Sequence, residues 1–178
     1  MTRALFLDRD GIVDDLVFYP SSGEWEAPRR LDDLVMIAGV SEPLWRFVDA
    51  GWLLFLVTNQ PNVAKGKATA EDVQAVNDMV VRELQVPIAR SYICVHQASD
   101  ACSCRKPSPL FLQAAARDFD VDLPQSWMVG DQDSDLLCGR NAGCKVALIE
   151  HPGSAHKRGN VEPDLRVKNL AELASLLV

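Results

Sequence analysis

Two aspartates stand one residue apart at the end of the first apolar run of the chain, Leu5–Gly11 (LFLDRDG). In an extended backbone, side chains at positions i and i+2 point to the same side. We therefore expect Asp8 and Asp10 to reach one site at the carboxyl end of a buried strand, where ligands of open α/β sheets bind. Gly11 permits a sharp exit of the chain after the pair. Alone, the pattern fits an acidic turn equally well.

Polar residues also end two later apolar runs. They are Thr58, Asn59 and Gln60 in one run, and Gly130 and Asp131 in the other. Because the carboxyl ends of parallel strands meet at one edge of a sheet, Asp131 is expected to join the first pair there. Three crowded carboxylates repel one another, so this arrangement needs a cation. Oxygen ligands with room left for water favour Mg²⁺ over zinc.

Other charged residues fit the same site. Asp135 lies near the start of a predicted helix, where it either orients the metal ligands or is simply an acid well placed at a helix N-terminus. Lys106 could offset the acidic cluster and hold a phosphoryl oxygen, while Arg105 could grip a phosphate through two hydrogen bonds. Without an acidic cluster, this basic pair would be interpreted as a solvated loop. Thr58 and Asn59 add neutral donors for the same phosphate.

Together these residues predict phosphoryl transfer through an aspartyl-phosphate intermediate. Asp8 would attack phosphorus. Asp10 would protonate the leaving oxygen and later activate water. Mg²⁺ and Lys106 would stabilise the negative charge. The chain has no glycine-rich Walker loop, which excludes a P-loop NTPase.

The elements that must position these residues alternate between strand-like and helix-like segments. Strands are predicted at Ala4–Leu7, Trp52–Thr58, Ser91–Val95, Trp127–Val129 and Lys145–Ile149. Helices are predicted at Ser41–Ala50 with Ser41 as N-cap, from Thr69 to Leu84, from Ser108 to Phe119 with Ser108 as N-cap, through Leu136–Asn141, and from Asn169. Residues 12–38 form an irregular excursion with a short hairpin. This alternation predicts an α/β fold with a doubly wound parallel sheet.

Length and composition limit the number of domains, the kinds of partner and the location of the protein. At 178 residues, we expect a single domain over residues 1–178. The net charge of −7 argues against non-specific binding to nucleic acid or an anionic membrane. No apolar run has the length of a membrane span, and the first residues lack the features of a signal peptide. We therefore expect a cytosolic protein, in which the five cysteines do not form disulfides.

The motifs in this order resemble those of the haloacid dehalogenase-like (HAD) phosphatases. The matching positions are D-x-D-G at Asp8–Gly11, Thr58, Lys106, and G-D-x₃-D at Gly130–Asp135. The resemblance implies a Rossmann-like HAD fold, Asp8 as nucleophile and Asp10 as general acid and base. It also implies Mg²⁺ bound by the Asp8 side chain, the Asp10 backbone carbonyl and Asp131. The large cap domain common in that superfamily is absent, so we expect a minimal cap.

A narrower resemblance covers residues 4 to 150. The segments FLDRDG, TNQ, CRKP and MVGD look like those of the D-glycero-D-manno-heptose 1,7-bisphosphate phosphatases and the related histidinol-phosphatases. Both groups carry a zinc loop before the lysine motif. Here its ligands would be Cys94, His96, Cys102 and Cys104. Cys94 with His96 and Cys102 with Cys104 form two pairs that can close a tetrahedral zinc site. Because four protein ligands leave no open position, the Zn²⁺ would be structural and would hold Arg105 and Lys106 in place.

The substrate implied by this resemblance is a phosphorylated sugar, and a monomeric enzyme is expected. A heptose bisphosphate that loses its 7-phosphate is the first hypothesis, and histidinol phosphate or another small sugar phosphate is the alternative. Pro61, Asn62 and Leu110 depart from the family pattern. The excursion is also unusual, and its Arg29 or Arg30 could meet a second phosphate. A zinc-stabilised scaffold without catalysis is the non-enzymatic alternative, although no catalytic motif is lost.

Overall fold

The computed structural model describes all 178 residues. The strands in chain order are β1 (Ala4–Leu7), β2 (Val17–Tyr19), β3 (Glu24–Glu26), β4 (Leu53–Asn59), β5 (Ile88–Cys94), β6 (Trp127–Gly130), β7 (Lys145–Ile149) and β8 (Leu165–Val167). Six of them form a parallel sheet in the order β5-β4-β1-β6-β7-β8. The first strand lies inside the sheet and the order reverses beside it, so the doubly wound α/β fold is confirmed.

Helices cover both faces of the sheet. They are α1 (Ser41–Asp49), α2 (Ala70–Leu84), α3 (Leu110–Phe119), α4 (Asp133–Ala142) and α5 (Leu170–Leu177). Strand β1 alternates between two cores: Leu5 and Leu7 pack with α1, α2 and α5, whereas Ala4 and Phe6 pack with α3 and α4. All four residues are fully buried, which is why this strand reads as a continuous apolar run in the sequence.

Two of the three predicted helix caps differ from the structure. Thr69 caps α2, and a reciprocal capping box with Asp72 confirms that prediction. Ser41 as N-cap is wrong, because Ser41 already lies inside α1 and Val40 precedes it without a side-chain cap. Helix α3 begins at Leu110 rather than at a proline after Ser108, although the Ser108 hydroxyl still accepts the Leu110 N–H at 3.3 Å.

Strand bounds show smaller differences. Strand β5 begins at Ile88, three residues before the predicted start at Ser91, because its first half is a partly exposed edge that carries no clear apolar alternation. The terminal strand β8 was not predicted. It is only three residues long and has a single fully buried side chain, Val167, so its sequence pattern is weak.

The excursion between β1 and α1 contains the antiparallel hairpin β2–β3 and no second folded unit, which agrees with a minimal cap. Trp25 on this hairpin packs beside Gly153 of the C-terminal segment, where an added Cβ would lie 2.8 Å from the indole. The hairpin is therefore held against the body of the protein. No helix is long and apolar enough to cross a membrane.

Candidate active site

The carboxyl ends of β4, β1 and β6 lie side by side, because these strands are direct neighbours in the sheet. Leu7 is in register with Leu56 on one side and with Val129 on the other. The backbone N–H of Asp8 donates to Val129 O at 2.9 Å, which extends the pairing by one residue. The acidic residue that follows β1 is therefore placed at the centre of this edge.

Lys106 is buried at the same edge and bridges two carboxylates. Its Nζ lies 2.8 Å from Asp8 Oδ1 and 2.7 Å from Asp135 Oδ1, and it donates to Val57 O at 2.7 Å. Burial, followed by the charge of Asp135, raises the pKa of Asp8 well above its usual value. Burial alone would lower the pKa of Lys106, but the carboxylates of Asp135 and Asp8 raise it. The lysine therefore stays charged.

Asp131 contributes the carboxylate that lacks any protein partner. The residue is fully buried, and neither of its carboxylate oxygens has a hydrogen bond. Burial, followed by the charge of Asp135, raises its pKa to about 6. Ligand oxygens of Asp8, Asp131 and Asp135 all lie within 4.8 Å of one another. An orphaned buried carboxylate in such a cluster fits a divalent cation with oxygen ligands.

Two glycines make this crowding possible. A Cβ at Gly11, whose φ is +90°, would lie 2.7 Å from Asp131 Oδ2. A Cβ at Gly130 would lie 2.2 Å from the Cβ of Asp135. Asp135 uses its other carboxylate oxygen to accept the backbone N–H groups of Asp131 and Gln132. Asp135 therefore lies in the first turn of α4 and fixes the backbone of Asp131, and its orientation of metal ligands stays a prediction.

The side chain of Asp10 is held on both oxygens. The guanidinium of Arg9 donates to Oδ1 at 2.9 and 3.3 Å, while Gln60 Nε2 and Thr58 Oγ1 donate to Oδ2 at 2.6 and 3.1 Å. Thr58 and Gln60 are buried and contact Asp10 instead of lining the cavity. Arg9 was not predicted to be a site residue. The sequence did contain a signal for it, because Arg9 is a charged residue between two apolar runs.

Asn59 fixes the backbone of Lys106. Its Oδ1 accepts the Lys106 N–H at 3.0 Å, and its Nδ2 donates to Lys106 O at 3.2 Å. Asn59, Arg105 and Lys106 all line one cavity of about 240 Å³, together with Asp8 and Asp10. The guanidinium of Arg105 donates to His96 O at 3.1 Å, which ties the cavity wall to the preceding loop.

That loop brings the four predicted zinc ligands together. Cys94, His96, Cys102 and Cys104 have ligand atoms within 4.8 Å of one another. The Sγ of Cys102 lies 3.7 Å from that of Cys94 and 3.8 Å from that of Cys104. Sulfur atoms on a tetrahedral zinc ion with bonds of about 2.3 Å lie about 3.8 Å apart. Burial raises the pKa of the Cys94 thiol to about 12, so a metal would have to displace its proton.

Cys138 and Cys144 lie outside this cluster. Both are buried, Cys138 on α4 and Cys144 shortly after it, in the core that α3 and α4 form with the sheet. The predicted phosphate contact of Arg29 or Arg30 finds no support, because neither side chain lines the cavity. Arg29 pairs with Glu26 at 2.9 Å and lies over the Tyr19 ring, and Arg30 lies 3.5 Å from Asp33.

The C-terminal segment also joins the site, which the sequence did not predict. Ser154 Oγ and Arg158 Nη1 both donate to the backbone carbonyl of Asp131, at 3.3 and 3.2 Å. His156 and Lys157 line the cavity. The only signal in the sequence was the basic content of an otherwise turn-rich tail.

Comparison with known proteins gives a consistent result. Residues 103–173 match the HAD-hydrolase-like family. The D-glycero-beta-D-manno-heptose-1,7-bisphosphate 7-phosphatase of Helicobacter pylori is 35% identical over 84% of this chain and 86% of its own length. The enzyme of the same name from Pseudomonas aeruginosa is 31% identical over 100% of this chain and 99% of its own length.

A solved structure matches the whole fold. The D,D-heptose 1,7-bisphosphate phosphatase of B. bronchiseptica, complexed with magnesium and phosphate, superposes with a TM-score of 0.84 at 28% identity, covering 99% of this chain and 98% of that one. The sequence relatives exceed 30% identity over most of both chains, and the sheet and acidic edge agree with the HAD fold. The chain therefore belongs to the heptose-1,7-bisphosphate 7-phosphatase family of HAD-like hydrolases.

Proposed function

We propose that this protein is a Mg²⁺-dependent phosphatase that removes the 7-phosphate of D-glycero-D-manno-heptose 1,7-bisphosphate and releases the heptose 1-phosphate. The observation that carries the proposal is the convergence of Asp8 and Lys106 in one cavity, with the carboxylate of Asp131 buried within 4.8 Å of that of Asp8, in a chain whose relatives are named for this activity. A phosphoric monoester hydrolase needs a nucleophile, a proton carrier and fixed positive charge, and this edge of the sheet supplies candidates for all three.

The residues present fit a magnesium ion. Asp131 has two buried oxygens without partners, and Asp8 lies within ligand distance of it. We assign the Mg²⁺ to the side chains of Asp8 and Asp131 and to the backbone carbonyl of Asp10. When bound, the ion would supply positive charge next to the phosphoryl oxygens. Lys106 already supplies a positive charge 2.8 Å from Asp8 Oδ1.

Asp8 is the proposed nucleophile. Its Oδ1 accepts the Arg9 N–H at 2.8 Å and contacts Lys106 Nζ, while Oδ2 has no protein donor. A carboxylate held on one oxygen keeps the other free to attack phosphorus. The attack forms an aspartyl phosphate as the bond from phosphorus to the sugar oxygen breaks. Water then cleaves the acyl phosphate and regenerates the Asp8 carboxylate.

Asp10 is the proposed general acid and base. It lines the cavity beside Asp8 and is held by Arg9, Thr58 and Gln60. In the first step it would give a proton to the leaving sugar oxygen, and in the second it would take one from the attacking water. We therefore propose that Thr58 and Gln60 act through Asp10, and that Asn59, Arg105 and Lys106 contact the phosphate.

A structural zinc ion completes the proposal. The Cys/His cluster offers four ligands, and two of its three sulfur–sulfur distances are close to those of a tetrahedral site, while the Sγ atoms of Cys94 and Cys104 lie closer, at 3.0 Å. Four protein ligands would leave no open position on the ion. Such an ion would brace the loop that carries Arg105 and Lys106. Three thiolates also require a reducing compartment, which supports a cytosolic location.

A substrate screen with the purified protein tests this proposal. The substrates are both anomers of the heptose 1,7-bisphosphate, histidinol phosphate and simple hexose phosphates, each with Mg²⁺, and the readout is released phosphate. We expect a heptose bisphosphate to be the best substrate by at least about tenfold in kcat/KM. The matched control is Asp131→Asn, which keeps the shape of the site and should lose Mg²⁺-dependent turnover. A dominant rate with histidinol phosphate would overturn the substrate assignment.

A further inference from the structure

The C-terminal segment Pro152–Lys157 is a short 3-10 helix that is fastened to the catalytic edge. Ser154 is fully buried, and its hydroxyl donates to Asp131 O and to His151 O. Arg158 Nη1 donates to the same two carbonyls, at 3.2 and 3.0 Å. Gly159 N donates to Asp133 Oδ2 at 2.8 Å, on the first turn of α4. The backbone on both sides of Lys157 is therefore fixed relative to the proposed Mg²⁺ ligand.

The hairpin holds the other side of the same segment. Gly153 packs on Trp25, whose ring lies 6.3 Å from that of His151 in an edge-on arrangement. The imidazole of His151 accepts the Gly153 N–H at 3.0 Å and lies 2.7 Å from Asp15 Oδ1. These contacts leave little freedom for the segment. Its two exposed basic residues, His156 and Lys157, are consequently presented at one place.

Both basic residues line the cavity that contains Asp8 and Lys106. Neither has a carboxylate within ion-pair distance, in contrast to Arg29 and Lys67, which share Glu26. Lys65, from the loop after β4, is a third cation of the cavity wall without an acidic partner. In a protein of net charge −7, unpaired cations at the mouth of an acidic cavity are suited to an anion that arrives with the substrate.

Lys106 and Arg105 line the cavity beside Asp8 and already supply positive charge for the phosphate that reacts there. His156 and Lys157 come from a different part of the chain, after β7, and line the same cavity. We propose that Lys157, assisted by His156, binds a second anionic group of the substrate, a phosphate that is not cleaved. This inference rests on the proposed phosphatase function and adds to it the residues that select bisphosphorylated over monophosphorylated sugars.

Kinetics of the Lys157→Ala variant test the inference. The substrates are heptose 1,7-bisphosphate, heptose 7-phosphate and p-nitrophenyl phosphate, of which only the first has a second phosphate. We expect KM for the bisphosphate to rise about tenfold, the size expected for losing one charge-assisted contact at an exposed site, with kcat unchanged. The other two substrates should change by less than about twofold. Lys157→Arg should restore most of the affinity.

Lys168→Ala is the matched control, because Lys168 is another exposed lysine of the C-terminal region that does not line this cavity. It should leave all three substrates unchanged. An equal loss on all three substrates in Lys157→Ala would show that Lys157 supports the reaction centre and would overturn the inference. So would an unchanged KM for the bisphosphate.

A binding measurement separates this inference from the proposed function. Calorimetric titration of the bisphosphate and the 7-phosphate into Asp8→Asn, with and without Lys157→Ala, reports affinity without turnover. We expect Lys157→Ala to weaken only the bisphosphate. If the wild-type protein hydrolyses no phosphate ester while this difference in binding persists, the phosphatase function fails and the subsite stands. If turnover occurs and no difference in binding is found, the subsite alone is overturned.

Discussion

The two clusters of side chains that could hold a metal ion are built in opposite ways. The carboxylates Asp8, Asp131 and Asp135 are buried and come from elements more than 120 positions apart in the chain, where the sheet brings them together. The Cys/His cluster spans only residues 94–104, and three of its members lie on the irregular loop after β5. In the first cluster the fold positions the ligands. In the second, we infer that the ligands position the loop.

This difference predicts opposite responses to damage. Repulsion between the carboxylates of the acidic cluster destabilises the folded protein. Removing one carboxylate should therefore lower the rate of turnover far more than the free energy of unfolding. The Cys/His loop has few apolar contacts of its own, so removing a ligand should affect stability first and chemistry through the position of Arg105 and Lys106. The variants below test that contrast.

Asp8→Asn should have the largest effect on activity. The amide has the shape of the carboxylate but cannot form the acyl phosphate, so turnover should fall by at least about 10,000-fold. Phosphate release measures the loss of turnover, thermal unfolding measures the melting temperature, and metal analysis measures the zinc content. We expect an unchanged or higher melting temperature and an unchanged zinc content, because the variant removes one of several crowded carboxylates. Residual activity above about 1% would contradict the assignment of the nucleophile.

Cys102→Ala should have the largest effect on stability and a smaller one on activity. Loss of one thiolate should abolish stoichiometric zinc and lower the melting temperature, since metal binding contributes directly to loop order. Activity should fall by about tenfold, because a displacement of about 1 Å near the reacting groups is costly. Cys144→Ala is the matched control, since this buried cysteine lies outside the cluster. Full zinc content in Cys102→Ala would contradict the inference that the ligands of the Cys/His cluster position its loop.

Glu26→Gln should have the smallest effect and shows what a polar cluster without metal contributes. Glu26 joins the hairpin to the loop after β4, because it accepts hydrogen bonds from Ser22, Arg29 and Lys67. Burial opposes ionisation, but these donors lower the pKa of Glu26 to about 2. The variant should reduce the free energy of unfolding by about 2 kcal/mol near neutral pH, as measured by urea denaturation.

The pH dependence of that loss has a definite sign. A lowered pKa stabilises the folded state at pH values above the usual carboxyl range, and this contribution is lost as the pH falls towards about 2. The difference between wild type and Glu26→Gln should therefore shrink as the pH is lowered from about 7 to about 3. Glu24→Gln on the same hairpin is the control, because Glu24 has no ion pair, and its effect should be within about 0.5 kcal/mol. A pH-independent difference would exclude the ionic contribution.

The sequence predicted the sheet edge well because strand ends are local features. An apolar run that stops at Asp8, Thr58 or Asp131 marks the end of a buried strand, and parallel topology then places those ends together. The Cys/His cluster was predictable for another reason. Its ligand spacing is short, so little of the intervening fold needs to be known.

What the sequence did not predict depends on where individual side chains turn in the folded chain. The guanidinium of Arg9 turns inward to Asp10, although arginine is rarely buried. The docking of Ser154 and Arg158 on Asp131 joins residues about two dozen positions apart through a segment with no periodicity. Neither contact leaves a spacing pattern in the chain, so only the structure reveals it.

Lys106 has a further consequence for the order of events. The ammonium group of Lys106 donates a hydrogen bond to Val57 O, and the carboxylates of Asp8 and Asp135 lie 2.8 and 2.7 Å from the same nitrogen. An arriving phosphoryl oxygen must therefore compete with a neighbour that already occupies the lysine. In the proposed reaction, phosphorylation of Asp8 removes the negative charge of its carboxylate, and this competitor disappears as the covalent bond forms. The lysine would thus exchange partners during the reaction, and it would bind the phosphoryl group most tightly when that group is attached to the protein.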